Sequence, residues 1–247
     1  FLDLEIRWAM RKHSQELWLV LMVSLGASSI YAVLSLLRKL SSQQGLAGSV
    51  TTINAPRAEQ PWLDAVSQLA AISLSLVPVL LALYFLRLDK LSIGLVPNRR
   101  DWLLGIGLPL AVGIPGIGLY VLALQLGLTS RIIPSTLGDY WWTPIILFLA
   151  ALRSGLQEEV IAVAFLAKKL GLIRPEITIL AVVVISSAFR ASYHLYQGFS
   201  AFIGNFIMGL VFAYIFMKTG RVAPLVIAHT VMNTAVFIGF PLVSAWL

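Results

Sequence analysis

The chain has 247 residues, of which 59% are hydrophobic and only 12% are charged, whereas an ordinary soluble domain carries about 25% charged residues. This composition excludes a soluble globular enzyme. The chain contains no cysteine, which excludes a disulfide framework, a thiolate nucleophile and any metal site built on cysteine. The net charge of +7 does not indicate a nucleic-acid partner, because the basic residues stand at the ends of apolar runs and form no dense patch.

Apolar segments long enough to cross a bilayer follow one another along the chain. The opening segment at 1–15, FLDLEIRWAMRKHSQ, is predicted to form an interfacial amphipathic lead-in. Seven spans are then predicted, near 16–37, 61–86, 102–128, 140–167, 175–193, 199–217 and 222–240. The expected fold is all-α, a polytopic membrane helical bundle of about seven to eight transmembrane helices that forms a single integral membrane domain over 1–247.

The connections and the basic residues give a topology. The one long connection, 38–60, is polar and is predicted to be an exposed loop. Twelve lysines and arginines lie on one side of the predicted membrane and four on the other. Because cytoplasmic loops carry the excess of positive charge, we expect a multi-pass protein of the cell membrane with a cytoplasmic N-terminus.

Six ionisable side chains fall inside the predicted spans, and they are the candidates for function. They are Arg153, Glu158, Glu159, Arg190, His194 and His229. A charged side chain near the middle of a bilayer costs about 2.5–3.5 kcal/mol even on the lenient insertion scale, so each one needs a partner or a wet cavity. Taken singly, each histidine is better explained as a satisfied interior residue.

Spacing along the helices relates these side chains to one another. His229 and Asn233 are four residues apart, so both project from one face of the last span. Asn233 alone would be interhelical hydrogen-bond glue. Arg153 lies about 140° around the helix from Glu158 and about 120° from Glu159, so it shares a face with neither glutamate. Two acids, two histidines and an amide over 140–240 together predict a site.

Three short motifs in this region resemble those of a known family. They are QEEV at 157–160, FRASYHLYQG at 189–198 and HTVMN at 229–233. In this order they resemble the motifs of the CPBP intramembrane proteases, relatives of the CAAX endopeptidases and of the Abi proteins linked to bacteriocin handling. Two positions depart from the family pattern, since Val163 stands where the first motif has arginine and Arg190 stands where the second has phenylalanine.

The resemblance implies an intramembrane endopeptidase of the CAAX-protease type. It implies that Glu158 is the general base that takes a proton from a water molecule, which His194 helps to hold. His229 and Asn233 would then face the developing oxyanion of the scissile amide, and Glu159 would support Glu158. Peptide hydrolysis needs a base, a positioned water and oxyanion donors, and the sequence contains neither GxSxG nor SxxK to indicate serine chemistry.

The sequence leaves the metal question open. Glu158, His194 and His229 have the residue types of a His₂Glu zinc site with one open position, although HExxH is absent. We expect no obligatory cofactor, with a divalent metal such as zinc as the alternative. The expected partners are membrane lipids and a peptide or protein substrate at the membrane.

A function from another class remains possible on sequence alone. A transporter or a non-catalytic membrane partner would use the buried acids as a proton or cation relay. The absence of an evident internal repeat disfavours a transporter of the inverted-repeat kind, whereas valine at position 163 favours the relay.

Two geometric expectations follow from the spacing. If the turn between the fourth and fifth spans lies near Leu172, straight helices would offset Glu158 and His194 by roughly 12 Å, so we expect a break or bend near 192–198. Arg190 precedes His194 by four residues and shares its face. We therefore predict that Arg190 pairs with Glu159 from the neighbouring helix and supplies the charge that Val163 cannot.

Overall fold

The structure is a computed structural model that describes residues 2–244, with side chains at residue 5 and residues 7–239. Within this range the chain forms ten α-helices and one small sheet. The helices are α1 (Leu2–Leu21), α2 (Ala27–Leu40), α3 (Pro61–Ser75), α4 (Val77–Leu88), α5 (Arg99–Gln125), α6 (Thr143–Gln157), α7 (Leu166–Ile173), α8 (Ile179–Ser192), α9 (Phe199–Thr219) and α10 (Ala223–Ser244). Residues 1 and 245–247, which belong to the predicted lead-in and to the predicted single domain, lie outside the described residues.

Several of these helices continue one another as longer rods. A π-helical turn, Met22–Gly26, joins α1 to α2, and a single residue, Leu76, separates α3 from α4. A longer π-helical segment, Glu158–Phe165, joins α6 to α7. The described chain therefore contains seven helical rods, one for each predicted hydrophobic segment.

The predicted all-α membrane bundle is confirmed. Four helical stretches among the described residues are long and apolar enough to cross a membrane, namely Arg7–Leu40, Pro61–Leu88, Arg99–Gln125 and Phe199–Thr219. Two shorter apolar helices, Ile179–Ser192 and Ala223–Gly239, accompany them. The outer face of α5 exposes large apolar side chains such as Leu103 and Leu110, as a helix facing lipid does.

The π-helical segment Glu158–Phe165 occupies the centre of the bundle. Every residue from Val160 to Phe165 is at most 1% exposed. Side chains of α4, α8, α9 and α10 pack around it in the main apolar core. The residues that carry the first motif are therefore surrounded on all sides by protein.

Glycines allow the late helices to approach closely. A Cβ atom at Gly155 of α6 would lie 2.8 Å from Thr230 Oγ1 and 3.0 Å from the Val226 carbonyl oxygen on α10. A Cβ atom at Gly209 of α9 would lie 2.8 Å from Ser187 Cα on α8. Such contacts through small residues are typical of helix packing in membranes. The first brings together the helices that carry the first and third motifs, and the second packs α9 against α8, which carries part of the second motif.

The connection 38–60 contains structure that the sequence did not predict. Val50–Asn54 forms strand β1, which pairs in parallel with strand β2 (Arg131–Ser135) from the connection between α5 and α6. Leu46 and Thr51 are buried. The polar composition of the segment indicated an exposed loop. Strand β1 was not predicted, because a short strand that pairs with a distant segment leaves almost no local signal.

A second charged cluster ties one end of α1 to α4 and α7. The ammonium group of Lys169, which is 0% exposed, donates hydrogen bonds to the carboxylates of Glu16 and Asp89. His13 Nδ1 lies 3.5 Å from Glu16 and 3.6 Å from Asp89. The ligand atoms of His13, Glu16 and Asp89 lie within 4.8 Å of one another, but the lysine already supplies a cation to both acids.

Replacing Lys169 with methionine is expected to lower the melting temperature of the purified protein by several degrees. The substitution leaves Glu16 and Asp89, both about nine-tenths buried, with the more exposed Lys12, at 3.7 and 4.0 Å, as their shared lysine partner. Removing the buried partner of such a pair typically costs about 3–5 kcal/mol. The neighbouring half-buried Lys168 provides the control, since Lys168→Met should have a much smaller effect. Equal melting temperatures for the two variants would contradict a stabilising role of the cluster.

Candidate active site

The turn between α7 and α8 brings the first two motifs level. Glu158 lies 15 residues before Ile173, the last residue of α7. His194 lies 15 residues after Ile179, the first residue of α8. The expected offset was wrong because the turn lies after Ile173, at 174–178, and not near Leu172. The expected break is present, since α8 ends at Ser192 and a short 3₁₀ turn, Leu195–Gln197, follows.

The two glutamates open the π-helical segment. Glu158 and Glu159 are its first two residues, with 8% and 0% exposure respectively. A π-helix widens each turn because its hydrogen bonds run from residue i to i+5, and such segments are found frequently at functional sites. The two carboxylates leave the helix in different directions and have different partners.

Glu158 meets side chains from the end of α8. The hydroxyl group of Tyr193 donates a hydrogen bond of 3.0 Å to Glu158 Oε2, and His194 Nε2 lies 3.3 Å from the same oxygen. Arg190 Nη1 lies 3.7 Å from it. The other oxygen, Oε1, faces His229 Nε2 at 3.9 Å and has no hydrogen bond among the described residues, so it is free to accept a proton.

Glu159 contacts the guanidinium group of Arg190 and the imidazole ring of His229. Arg190 Nη2 donates a hydrogen bond to Glu159 Oε1, and His229 Nδ1 lies 2.7 Å from the same oxygen. Arg190 is 0% exposed and His229 is 4% exposed. The predicted pairing of Arg190 with Glu159 is confirmed, while Val163 is a core residue with 1% exposure.

The structure thus brings together most of the side chains that the sequence singled out. Glu158, Glu159, Arg190, His194 and His229 are joined by the contacts above. Asn233 lies one turn beyond His229 on α10 and is half-buried, and within residues 2–244 it makes no hydrogen bond to the other five. Among the described residues, Arg153 forms no ion pair with either glutamate, and it donates to Gln157 Oε1 at 3.3 Å. This agrees with the helix geometry, which placed Arg153 on a different face from both glutamates.

The segment that carries His194 is fixed by the connections outside the helices. Lys39 at the end of α2 donates hydrogen bonds to the Tyr196 carbonyl oxygen, to Thr51 and to Ser130. Gly198 has φ 119°, a conformation that suits glycine, and a Cβ atom there would lie 2.8 Å from Thr129 Cα. The small sheet and these contacts therefore position the histidine.

Tyr193 is the functional candidate that the sequence did not reveal. It is 5% exposed and packs edge-on against Phe189. Its position beside His194 in the second motif was the available signal. A tyrosine on a helix end is more often a packing residue, so the sequence alone did not distinguish the two roles.

Replacing Tyr193 with phenylalanine is expected to lower kcat about tenfold with little change in KM or in melting temperature. The ring would keep its packing, but Glu158 would lose one hydrogen bond, and a hydrogen bond to a charged group contributes about 1.5–3 kcal/mol. Steady-state kinetics and thermal unfolding of the same preparation measure both effects. Tyr214→Phe, which removes an exposed hydroxyl from α9, is the control, and an equal kcat for both variants would exclude the positioning role.

The same side chains can be tested for a metal. Glu158, His194 and His229 offer suitable ligand types, and the bond from His229 Nδ1 to Glu159 is the orienting contact that metal-binding histidines usually have. Among the described residues, however, these three do not bring one ligand atom each within 4.8 Å of one another. Three ligands at about 2.0–2.2 Å from zinc must lie closer together than this, so the observed arrangement does not fit the ion.

The fold and the buried cluster define a polytopic membrane protein with a polar site enclosed by its last helices. Residues 140–235 match the family model of Rce1-like proteins, described as type II CAAX prenyl endopeptidase Rce1-like. This match is consistent with the CPBP and CAAX protease family, whose motifs the chain resembles. The match supports a protease, in general terms an intramembrane endopeptidase. Neither a curated protein nor a solved structure matches the chain.

Proposed function

We propose that the protein hydrolyses a peptide bond within the membrane with a water molecule that Glu158 activates. The observation that carries the proposal is the free oxygen of Glu158, Oε1, beside His229 Nε2 at 3.9 Å. Tyr193 and His194 engage the other oxygen, so the carboxylate is held in place while one oxygen stays available. This arrangement suits a general base.

In the proposed reaction, Glu158 takes a proton from water, and the water oxygen attacks the scissile carbonyl carbon. His194 helps to hold this water beside the carboxylate. The oxyanion that forms meets His229 and Asn233 on α10. The oxyanion then collapses and the scissile C–N bond breaks while Glu158 returns the proton to the leaving amine, so the reaction consumes one water and releases an acid and an amine.

The charges of the cluster support a cationic His229. A carboxylate accepts hydrogen bonds, so His229 Nδ1 carries the proton in its contact with Glu159. Nε2 can then donate to an oxyanion only if the imidazole is protonated. One arginine stands against two carboxylates here, and a protonated His229 balances the second negative charge in a buried site where an unpaired charge is costly.

We propose that no metal is obligatory for this reaction, so activity is expected to survive chelation. Treating the purified protein with EDTA and then removing the chelator should leave more than half of the cleavage rate, and mass spectrometry of the native protein should find less than about 0.1 bound zinc per chain. Stoichiometric zinc together with loss of activity on chelation would instead support a metalloprotease that uses Glu158, His194 and His229.

We also propose that the protein lies in the cell membrane with its N-terminus in the cytoplasm, because twelve basic residues are found on that side and four on the other. Because the chain contains no cysteine, variants with a single introduced cysteine test this orientation directly. A maleimide that does not cross membranes should label Ser42→Cys, and not Ser92→Cys, in intact cells. Both serines are exposed, and the reverse pattern would contradict the orientation.

Hydrolysis itself is tested with an oxygen label. Purified protein in detergent is incubated with a mixture of apolar peptides in H₂¹⁸O, and each new C-terminus should carry one ¹⁸O atom. Glu158→Gln protein is the control for contaminating proteases and should give no labelled product. No labelled product from either protein would support a relay or a non-catalytic partner, although the family match favours the protease.

A further inference from the structure

A cavity lies at the end of α4, between the last turn of that helix and the segment that follows it. Its volume is about 370 Å³, within the range of protein cavities that bind small ligands. Since α4 completes the apolar stretch Pro61–Leu88, the cavity lies where this stretch leaves the membrane. Its lining includes two buried apolar side chains, two cations and a hydroxyl group. They belong to Leu86, Ile93, Arg87, Lys90 and Ser92.

The two cations, Arg87 and Lys90, have no acidic partner among the described residues. The carboxylate nearest to them in the chain is that of Asp89, which accepts a hydrogen bond from the buried Lys169 and lies 4.0 Å from Lys12. The charge of Asp89 is therefore balanced by lysines of α7 and α1. Both Arg87 and Lys90 are exposed, so the cavity is open and complementary to an anion.

Lys90 occupies a backbone position that glycine usually takes. The amide group of Leu91 donates to the Leu86 carbonyl oxygen at 2.9 Å, and that of Lys90 donates to the Arg87 carbonyl oxygen at 3.0 Å. These two bonds end α4 in a Schellman motif, whose left-handed residue is most often glycine. Lys90 has φ 56°, the one positive φ outside glycine in the described range, and this conformation is unfavourable for a residue with a Cβ atom. Arg87 already supplies a cation to the last turn, so the helix dipole does not explain a second one here.

An exposed apolar face of α4 leads from the interior of the membrane to Arg87. Val77, Leu80 and Tyr84 are each more than half exposed, and their spacing of three and four residues places them on the face that ends at Arg87. From Val77 to Arg87 the helix rises about 15 Å, which is the depth of one leaflet in a hydrocarbon core about 30 Å thick. An acyl chain can therefore lie along this face while its headgroup occupies the cavity.

We propose that this cavity binds the phosphate headgroup of an anionic membrane phospholipid, held by Arg87 and Lys90. The phosphate supplies the negative charge that both cations lack, and the Ser92 hydroxyl group can donate a further hydrogen bond to it. A zwitterionic headgroup offers the same phosphate with an ammonium group beside it, which the two cations repel. The lipid stabilises the folded protein because the cavity exists only in the folded state.

Thermal unfolding of delipidated protein in maltoside detergent tests the site. Saturating dioctanoyl phosphatidylglycerol should raise the melting temperature by about 5 °C or more, whereas dioctanoyl phosphatidylcholine at the same concentration should raise it by less than about 1 °C. Glycerol 3-phosphate offers the phosphate without acyl chains and should have no effect. An equal shift with phosphatidylcholine would overturn the charge preference, and an equal shift with glycerol 3-phosphate would overturn the assignment to a lipid.

Matched variants assign the effect to the two cations. Arg87→Gln and Lys90→Gln should each reduce the shift caused by phosphatidylglycerol at least about threefold. Arg100→Gln and Lys218→Gln remove exposed cations from the same end of the bundle and should leave the shift intact. Equal shifts in all four variants would mean that the lipid acts through the general charge of the protein, which would overturn the proposal.

Lys90→Gly separates lipid binding from the fold. Glycine suits the left-handed backbone, so the lipid-free variant should melt at the same temperature as the wild type or higher. The shift caused by phosphatidylglycerol should nevertheless fall as it does in Lys90→Gln. A lower melting temperature without lipid, together with an unchanged lipid shift, would assign Lys90 to the fold and overturn its role in the site. None of these measurements requires turnover, so their outcome is independent of the proposed hydrolysis.

Discussion

Replacing Glu158 with glutamine is expected to lower kcat at least about 10³-fold, within the range that general-base catalysis contributes. Glutamine keeps the size of the side chain and can still accept the hydrogen bond from Tyr193, but its amide cannot take a proton from water. KM should change less than threefold, because the contact with substrate does not depend on the base. Steady-state kinetics of the purified variant measure both quantities.

Stability provides the control for this variant. Glu159, Arg190 and His229 keep their mutual contacts in Glu158→Gln protein, so the melting temperature should shift by no more than a few degrees. Glu158→Asp tests the position of the carboxylate, and its activity should lie between those of the wild type and the glutamine variant. If Glu158→Gln retained a tenth of the activity, another group would have to be the base.

Replacing Arg190 with alanine is expected to destabilise the protein by about 3–5 kcal/mol and to lower its melting temperature by roughly 10 °C. The substitution leaves Glu159 with 0% exposure and without its guanidinium partner. Among the described residues Glu159 Oε2 has no hydrogen-bond partner, so the buried carboxylate would keep only its contact with His229. Thermal unfolding in detergent measures the change.

A double mutant separates the lost charge from lost packing. If the cost comes from the unpaired carboxylate, adding Glu159→Gln to Arg190→Ala should recover most of the stability, whereas a packing defect would remain. Arg100→Ala removes an exposed arginine from the start of α5 and should shift the free energy of unfolding by no more than about 0.5 kcal/mol. A harmless Arg190→Ala would contradict the assigned role of this pair.

The membrane bundle could be predicted because composition and apolar length are properties of single segments. Each of the seven predicted spans has a helical rod, and the positions of α9 and α10 agree within a few residues. The pairing of Arg190 with Glu159 was also predictable. It follows from helix periodicity on two neighbouring antiparallel helices, once a buried acid that needs a counter-charge is recognised.

Other parts of the site depend on contacts between distant segments and left no local pattern. The π-helical segment Glu158–Phe165 reads as an ordinary apolar helix in the sequence. Strands β1 and β2 lie far apart in the chain, with α3, α4 and α5 between them, so neither indicates the other. The level placement of Glu158 and His194 depends on a turn that composition locates only approximately.

The most direct test of the central claim is an experimental structure with a peptide analogue that carries a hydroxyethylene group in place of the scissile amide. The tetrahedral carbon of this group imitates the intermediate of water attack. The account predicts that the hydroxyl lies within about 3 Å of Glu158 Oε1, with His194 beside it and with His229 and Asn233 facing the same centre. An analogue bound away from Glu158, or a metal ion between Glu158, His194 and His229, would contradict it.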